Sequence, residues 1–418
     1  MYIPSWAHSE DLVFDASRKE EYEDAERLLK DLENPQKRYE VVQVTGTNGA
    51  TTTSHFVADV LAEEGYDTGL FSSNLIYKSA QESYKVNGTW VKENTLEGAI
   101  TRVLSLEPQT YRSAVIAVAH AIFDYHDVDI AVIEANLGGR NDVTNTVDCR
   151  VGAVTSIGTD HSRILGDSKE EIARKKVDIA DENTTLIVNA PKLLDVCRKH
   201  VSERSVKVVE QKSMVKLQWD DTENRYGLTI GDETVLTPMI AEYLTENIQT
   251  ASTVLKYSPW TVRDESIREV AREFLIPGRA EKRTVGTTYT AEALFDGAHN
   301  VQGVRTLTKT LKNVGEDFVC VFSSLETKNW KEMARLLEPH VSRFIITEIP
   351  NSRRATSLKE LRSFFTHDIE KPFSCVRKEC PVLSESMRRA EEQEIILVTG
   401  SLKLLKSVRP RWVSHRAE

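Results

Sequence analysis

The sequence predicts an α/β protein with a mainly parallel central sheet and a second, smaller α/β domain. Short apolar runs such as 41–44 and 128–134 alternate with helical segments, which is the rhythm of βαβ units. A Pro-Gly break at 277–278 is followed by a renewed alternation of strands and helices. We therefore expect one domain over residues 1–276 and a second over residues 277–418.

The composition limits the class of protein. Hydrophobic residues make up 40% of the 418 residues and charged residues 28%, values typical of a globular protein with a sizeable core. No apolar run approaches the ~20 residues of a membrane span, and no secretory signal is visible, so we expect no membrane partner. The net charge of −10 argues against general nucleic-acid binding. Five cysteines without metal-like pairing favour reduced thiols and a cytoplasmic location.

Periodicity and turn residues predict the order of the elements. In the first domain we expect a polar helix over 9–32, strands over 41–44, 67–71, 128–134, 151–157 and 186–189, a hairpin over 84–91, and helices over 113–125 and 246–255. The β-prone segment 207–236 predicts an antiparallel flap or hairpin. In the second domain we expect strands over 291–295, 318–322, 343–348 and 394–399, with helices over 301–311 and 330–337.

The first strand runs into a glycine loop that opens a helix. Glycines allow a sharp turn close to a ligand, and a new helix presents unpaired N–H groups, so phosphate is the natural occupant. A plain tight turn is the alternative reading. Thr51 and Thr52 favour phosphate, because a hydroxyl in this place commonly contacts magnesium. The loop consists of Gly46, Thr47, Asn48 and Gly49.

Several chemically capable residues follow the carboxyl ends of predicted strands. These are Ser73, Glu134 and His161 in the first domain, with Asp296 and His299 in the second. Ligands of open α/β sheets bind at these ends, so we expect the first three to converge on the glycine loop. Glu134 suits a hard metal ion or a general base. The alternatives are a turn-capping acid for Glu134, a structural histidine for His161 and a type I turn for residues 296–300.

The motifs together resemble those of folylpolyglutamate synthases, some of which are also dihydrofolate synthases, within the Mur ligase superfamily. The resemblance covers about residues 39–405. Its motifs, in chain order, are 46–49, Glu134 with 137–140, 156–161, 164–167, 277–279, 296–300 and 399–402.

This resemblance implies a central P-loop domain of the Mur ligase type and a smaller Rossmann-like C-terminal domain. It also implies an ATP- and Mg²⁺-dependent ligase. ATP phosphorylates the carboxylate of a small-molecule acceptor, and the amine of an amino acid, glutamate by default, attacks the acyl phosphate. A monomer or weak homo-oligomer is expected.

Residue roles also follow from the resemblance. Glu134, Lys176 and His299 are the implied catalytic residues, and Lys176 matches a lysine that the family carbamylates. The implied metal ligands are Thr51, Ser73, Glu134, His161 and Lys176. The implied nucleotide contacts are Gly46, Thr47, Asn48, Gly49, Ala50, Thr51, Thr52, Asn247, Arg279 and Asp296.

Three departures from the family pattern bear on activity. Ala50 stands where the family has the loop lysine, whose loss typically costs roughly 10²–10³-fold in rate. Residues 73–75 replace a serine-proline-histidine stretch of the folate site, and Asn136 replaces a glycine. Two explanations of Ala50 stay open: a substitution made to trap a bound state, which we favour slightly, or a natural divergence. The alternative functions are a nucleotide-binding pseudo-ligase or scaffold, and a Mur-type ligase for a non-folate acceptor.

Overall fold

A computed structural model of the chain describes residues 17–72, 80–135, 137–160, 162–212, 215–223, 225–285, 290–314, 317–350, 352–377 and 394–412. Its architecture is mixed α/β, with two large sheets that are mainly parallel and a small antiparallel sheet. This confirms the predicted fold class. None of the described helices is long and apolar enough to cross a membrane.

The larger sheet has eight strands in the order β4-β3-β2-β5-β1-β6-β7-β8. The strands from β2 to β8 in this order are parallel, and β3 and β4 form the predicted hairpin at one edge. Their bounds are β1 Glu40–Thr45, β2 Thr68–Phe71, β3 Tyr84–Val86, β4 Thr89–Trp90, β5 Ile130–Glu134, β6 Cys149–Val154, β7 Thr185–Val188 and β8 Lys207–Glu210.

Helices cover both faces of this sheet. The alanine-rich α4 is buried along most of its length, because small side chains let it pack closely on the strands. The helices are α1 Arg18–Asp31, α2 Ala50–Glu63, α3 Glu93–Leu104, α4 Tyr111–Tyr125, α5 Ser162–Leu165, α6 Lys169–Val177, α7 Leu194–His200, α8 Glu242–Tyr257 and α9 Asp264–Glu273. Residues 9–16 of the predicted first helix lie outside the described residues.

The prediction of a flap over residues 207–236 is wrong for its first part. Lys207–Glu210 is β8, which pairs in parallel with β7 and extends the large sheet. The remainder forms an antiparallel sheet of β9 Val215–Asp220, β10 Arg225–Ile230 and β11 Glu233–Leu236. A four-residue β-prone run carries no sign of its partner, so only the three-dimensional fold decides which sheet it joins.

The second large sheet has the order β12-β13-β17-β14-β15-β16, and only β12 runs antiparallel to its neighbour among the described strands. Its strands are β12 Glu281–Val285, β13 Ala291–Phe295, β14 Phe318–Phe322, β15 Arg343–Thr347, β16 Phe373–Val376 and β17 Ile395–Thr399. The accompanying helices are α10 Val301–Val314, α11 Trp330–Leu337, α12 Leu358–Asp368 and α13 Leu402–Trp412.

The position of β1 determines where a ligand can bind. β1 lies between β5 and β6, with β2 to β5 on one side of it and β6 to β8 on the other, so the chain changes direction across β1 when it passes from β5 to β6. In open α/β sheets such a switch of direction opens a crevice at the carboxyl ends of the strands. The loop after β1 and the ends of β5 and β6 meet there. We keep 1–276 and 277–418 as proposed domain bounds, and these place the second large sheet in the C-terminal domain.

Candidate active site

The glycine loop at residues 46–49 is fastened to the end of β6. The amide of Thr47 donates to the carbonyl of Ser156 at 2.9 Å. The amide of Asn48 donates to Ser156 Oγ at 2.9 Å, and Thr155 Oγ1 donates to the Asn48 carbonyl at 2.7 Å. These bonds hold the loop against the segment that follows β6.

Two glycines of the loop have no room for a side chain. A Cβ on Gly46 would lie 1.9 Å from Thr155 Oγ1. Gly49 has a φ of +92°, and a Cβ there would lie 2.2 Å from Asn247 Oδ1. The conformation and the close packing both explain why the turn needs glycine.

Helix α2 begins directly after the loop. Gly49 is its N-cap and provides no side-chain cap, so the first N–H groups of the helix are available to an anion. Thr51 Oγ1 donates to Glu134 Oε1 at 2.8 Å, and Ser72 Oγ donates to Glu134 Oε2. Glu134 is buried at the end of β5. A hydroxyl from α2 and one from the end of β2 therefore orient this carboxylate.

Lys176 is buried in the last turn of α6 and points toward the same place. Its Nζ lies 3.4 Å from Thr45 Oγ1 and 3.5 Å from the Leu137 carbonyl. Burial lowers the pKa of Lys176 to about 8, against the opposing effect of the Asp142 and Asp160 carboxylates. At neutral pH a larger fraction of this amine is uncharged than in an exposed lysine.

Asp142 orders the loop that follows Glu134. Its Oδ2 accepts hydrogen bonds from the amides of Leu137 and Gly138, at 3.3 and 3.1 Å. Arg18 of α1 donates to the same oxygen at 3.1 Å and to the Gly138 carbonyl at 2.9 Å. Burial raises the pKa of Asp142, but the guanidinium groups of Arg112 and Arg18 outweigh it and hold this pKa below its ordinary value. The first helix thus fixes the loop beside Lys176.

Asp296 and Arg279 approach from the second large sheet. Asp296 is buried and accepts hydrogen bonds from Tyr243 Oη and from the amides of Ala280 and Ala298. Burial raises the pKa of this carboxyl group. Arg279 lines the cavity next to it. The carboxylate of Asp296 therefore holds the turn that carries Arg279.

His299 presents one ring nitrogen to the cavity. Its Nδ1 lies 2.9 Å from the Gly297 carbonyl, which can only accept, so Nδ1 carries the proton in the neutral ring. Nε2 lies 3.7 Å from Asp160 Oδ2. Burial, followed by the charge of Lys328, lowers the pKa of His299 to about 4. The imidazole is therefore neutral at pH 7, with an accepting Nε2.

A polar junction joins the glycine loop to the second sheet. Lys328 Nζ lies 2.7 Å from Asp160 Oδ1, and both side chains are about nine-tenths buried, with 12% and 10% exposed. Asn300 Nδ2 donates to Asp160 Oδ2 at 3.2 Å and to Asn48 Oδ1 at 3.1 Å. A shift of one sheet against the other must break these contacts.

These elements enclose a cavity of about 940 Å³. Ala50 lies on its wall with 8% of its surface exposed. The predicted site residues on the wall are Gly46, Thr47, Asn48, Gly49, Ala50, Thr51, Thr52, Glu134, Lys176, Asn247, Arg279, Asp296 and His299. The sequence-based expectation that strand ends converge is met for Glu134, and the second sheet contributes the opposite wall.

Two family models match the chain on either side of residue 277. The Mur ligase middle domain matches residues 44–255, and the Mur ligase glutamate ligase domain matches residues 278–402. The chain belongs to the Mur ligase family. This confirms the family predicted from the motifs.

The relatives of this Mur ligase carry the names that the motifs predicted. It is 28% identical over 417 residues to the dihydrofolate synthase/folylpolyglutamate synthase of Bacillus subtilis, covering 92% of this chain and 93% of the relative. It is 26% identical to the folylpolyglutamate synthase of Lacticaseibacillus casei, covering 91% and 92%.

Solved structures share its fold. Escherichia coli FolC in complex with DHPP and ADP superposes with a TM-score of 0.81 at 23% identity, over 97% and 96% of the two chains. A bifunctional folylpolyglutamate synthase/dihydrofolate synthase with Mn, AMPPNP and L-glutamate bound gives 0.78 at 23% identity, over 92% and 93%.

Two predicted metal ligands, Ser73 and His161, lie outside the described residues. Within the described ranges no group of three or more His, Cys, Asp or Glu side chains could hold a metal ion. The donors present nevertheless fit a hard divalent cation, because Thr51 and Glu134 place a hydroxyl and a carboxylate oxygen 2.8 Å apart beside the glycine loop. Such an ion commonly takes its remaining ligands from phosphate and water.

Sequence reasoning missed several residues of this site. Ser72, Tyr243 and Asn300 contribute hydrogen bonds to Glu134, Asp296 and the Asp160 junction, respectively. The only available signal was position, since Ser72 follows β2 and Asn300 precedes α10. Tyr243 on α8 offered none.

Proposed function

We propose that this Mur ligase is an ATP-dependent amide-forming ligase that joins an amino acid, with glutamate as the default, to a carboxylate acceptor. The carboxylate attacks the γ-phosphorus and ADP leaves. The amine then attacks the acyl carbon, and phosphate leaves. The family membership and the names of the relatives support this class of reaction.

One observation carries the proposal. A single cavity brings the glycine loop, Glu134 and Lys176 against Arg279 and His299 from the second sheet. The first group suits a nucleoside triphosphate and an anionic intermediate, and the second suits phosphate and an incoming amine. A plain nucleotide-binding module has no need of both walls.

Charge neutralisation is the main task of such a site. The N–H groups at the start of α2 and the guanidinium of Arg279 would hold the phosphates. Thr51, Glu134 and the undescribed Ser73 and His161 would hold the divalent cation, which screens the phosphate charge when bound. Lys176, if carbamylated, would add a second anionic ligand, and its depressed pKa favours that reaction.

His299 is proposed to receive the amino acid. Its neutral ring keeps Nε2 as an acceptor, while the Gly297 carbonyl fixes the Nδ1–H tautomer. An ammonium group can donate a hydrogen bond to Nε2, which positions the amine, whereas the lowered pKa of the ring, about 4, makes His299 too weak a base to keep the ammonium proton. Asp160, whose Oδ2 lies 3.7 Å from Nε2, would add a negative charge that attracts the ammonium group.

Ala50 decides how fast this form turns over. The phosphate cradle is intact without a lysine, so we expect nucleotide binding with weak catalysis. The test is ADP release with Mg²⁺, L-glutamate and a carboxylate acceptor, for the chain as it stands and for Ala50→Lys. We expect the lysine to raise kcat roughly 10²-fold or more, with a smaller change in nucleotide affinity.

The competing function is a nucleotide-binding protein without turnover, which the absent lysine favours. Binding of AMPPNP with no ADP release in either form, across pterin and non-pterin acceptors, would reject the ligase. A non-folate acceptor is the second alternative, and acceptor-dependent ADP release separates it from a folate. Monomeric or weakly oligomeric state and a cytoplasmic location stay predictions.

A further inference from the structure

Tyr243 is a side chain on the cavity wall to which no step of the proposed reaction assigns a role. It lies in the first turn of α8 and lines the cavity together with Arg279 and Asp296. Its Oη donates a hydrogen bond to Asp296 Oδ2. Burial, followed by the charge of Asp296, raises the pKa of Tyr243 well above its ordinary value. The phenol therefore keeps its proton and donates it to the carboxylate.

The carboxylate of Asp296 has little capacity left for a ligand. Its Oδ2 also accepts from the amide of Ala280 at 3.0 Å, and its Oδ1 accepts from the amide of Ala298 at 2.9 Å. Three protein donors thus occupy most of the roughly four lone-pair positions that a carboxylate offers. The phenol oxygen of Tyr243 still has lone pairs after donating its proton, and among the described residues no group donates to it. Tyr243 therefore offers a free acceptor at the cavity.

The spacing along α8 relates Tyr243 to the sugar of a bound nucleotide. Asn247 lies one turn further along the same helix and packs on the glycine loop, where a Cβ added to Gly49 would lie 2.2 Å from Asn247 Oδ1. Residues four apart share one face of a helix and are separated by about 6 Å along its axis. A nucleotide whose phosphates occupy the loop has its ribose next in line. The cavity wall continues from the loop through Asn247 to Tyr243 and Asp296.

We propose that Tyr243 determines the sugar specificity of the nucleotide site, because its Oη accepts a hydrogen bond from one hydroxyl group of the ribose. The bond that Tyr243 donates to an anionic carboxylate polarises the phenol and makes its oxygen a stronger acceptor. A deoxyribose that lacks this hydroxyl leaves Oη without a donor, so the site favours ribonucleotides. The inference rests on the proposed ligase function, from which it takes the nucleotide. The glycine loop cannot supply this selectivity, since the phosphates of ribo- and deoxyribonucleotides are alike.

The test compares ADP with 2′-deoxy-ADP and 3′-deoxy-ADP. Binding of each to the full chain is measured by calorimetry in the presence of Mg²⁺, so that neither an acceptor nor turnover is required. We expect the chain to bind one of the two deoxynucleotides about tenfold more weakly than ADP, the usual order for one lost hydrogen bond to a buried partner. Tyr243→Phe should reduce that ratio to about one by weakening ADP alone.

Two further measurements separate sugar recognition from a supporting role. Tyr226→Phe is the matched control, because Tyr226 is a buried tyrosine of β10 whose Oη accepts from Asn313 Nδ2 at 3.0 Å, away from the cavity wall. This variant should keep the ratio of the unmodified chain. Pyrophosphate carries the phosphates without a sugar. Its affinity should be the same in Tyr243→Phe and in the unmodified chain.

Equal binding of ADP and both deoxynucleotides by the unmodified chain, or no binding of ADP, overturns the proposal. So does a preference for ADP that survives Tyr243→Phe, since another group would then contact the sugar. A loss of pyrophosphate affinity in that variant also overturns it, because Tyr243 would then support the phosphate site. Failure of the ligase function has a different signature. In that case no acceptor stimulates ADP release even in Ala50→Lys, whatever the ratio of the nucleotides shows.

Discussion

Replacing Gly49 by alanine tests whether the glycine loop is built as the structure shows. Gly49 combines a φ of +92° with close packing, because an added Cβ would lie 2.2 Å from Asn247 Oδ1 and 2.9 Å from its Cγ. Gly65, at the other end of α2, provides a matched control. Its φ is +96°, yet an added Cβ there meets nothing within 4 Å.

The two substitutions share one energetic term and differ in the other. A left-handed backbone costs an alanine about 1–2 kcal/mol at either position. Forcing a methyl group into packed surroundings adds about 1–3 kcal/mol at Gly49 only. We therefore expect Gly65→Ala to lose about 1–2 kcal/mol of unfolding free energy and Gly49→Ala about 2–5 kcal/mol. Combining Gly49→Ala with Asn247→Ala should recover the packing term and not the backbone term.

Urea denaturation gives the stabilities, and calorimetry with AMPPNP gives nucleotide affinity. Gly49→Ala should weaken AMPPNP binding because the loop must shift to relieve the overlap, whereas Gly65→Ala should leave it unchanged. Equal stability losses in the two variants, together with unchanged nucleotide affinity in Gly49→Ala, would refute the close packing of this loop on Asn247.

Two further predictions concern buried ion pairs. Arg409 donates two 2.7 Å hydrogen bonds to Glu281, and these outweigh burial and hold the pKa of Glu281 below its ordinary 4.5. The pair therefore stabilises the fold above that pH and is lost as pH falls through the lowered pKa. Glu281→Gln should lower the free energy of unfolding by about 3–5 kcal/mol at pH 7 and by less below pH ~4, as measured by urea denaturation. An equal loss at the two pH values would contradict this expectation. Lys328→Met should lower the free energy of unfolding by about 1–3 kcal/mol. A double-mutant cycle with Asp160→Asn should show that the two effects are coupled, and a coupling energy of zero would count against the polar junction.

Much of the fold could be read from local patterns. The predicted strands 291–295 and 318–322 and the predicted helix 330–337 match the structure at both ends. Alternating apolar runs and turn residues determine such elements within a few positions of the chain. The glycine loop and Glu134 could be placed together for the same reason, since both follow strands of one parallel sheet.

Local sequence patterns could not predict which distant segments of the chain pair with each other. Nothing near Lys207–Glu210 shows that it joins β7, and nothing near Asp160 shows that Lys328 and Asn300 will meet it. Arg112 shows the same limit, because a surface arginine and a cavity arginine look alike in sequence. These facts depend on how the two large sheets and α4 pack, which no short stretch encodes.

The sequence by itself determined the Mur ligase family, the glycine loop after β1 and the alanine that follows it. Turn-forming glycines and short motifs can be read directly from the sequence, because each depends on residues that are close together in the chain. Only the tertiary structure decided how the loop before Ala50 is held, through hydrogen bonds to Thr155 and Ser156 after β6 and close packing of Gly49 on Asn247. It also decided where the arginines lie: Arg18 is hydrogen-bonded to the loop after β5, and Arg112 lines the cavity wall within ion-pair distance of Glu21 and Asp142.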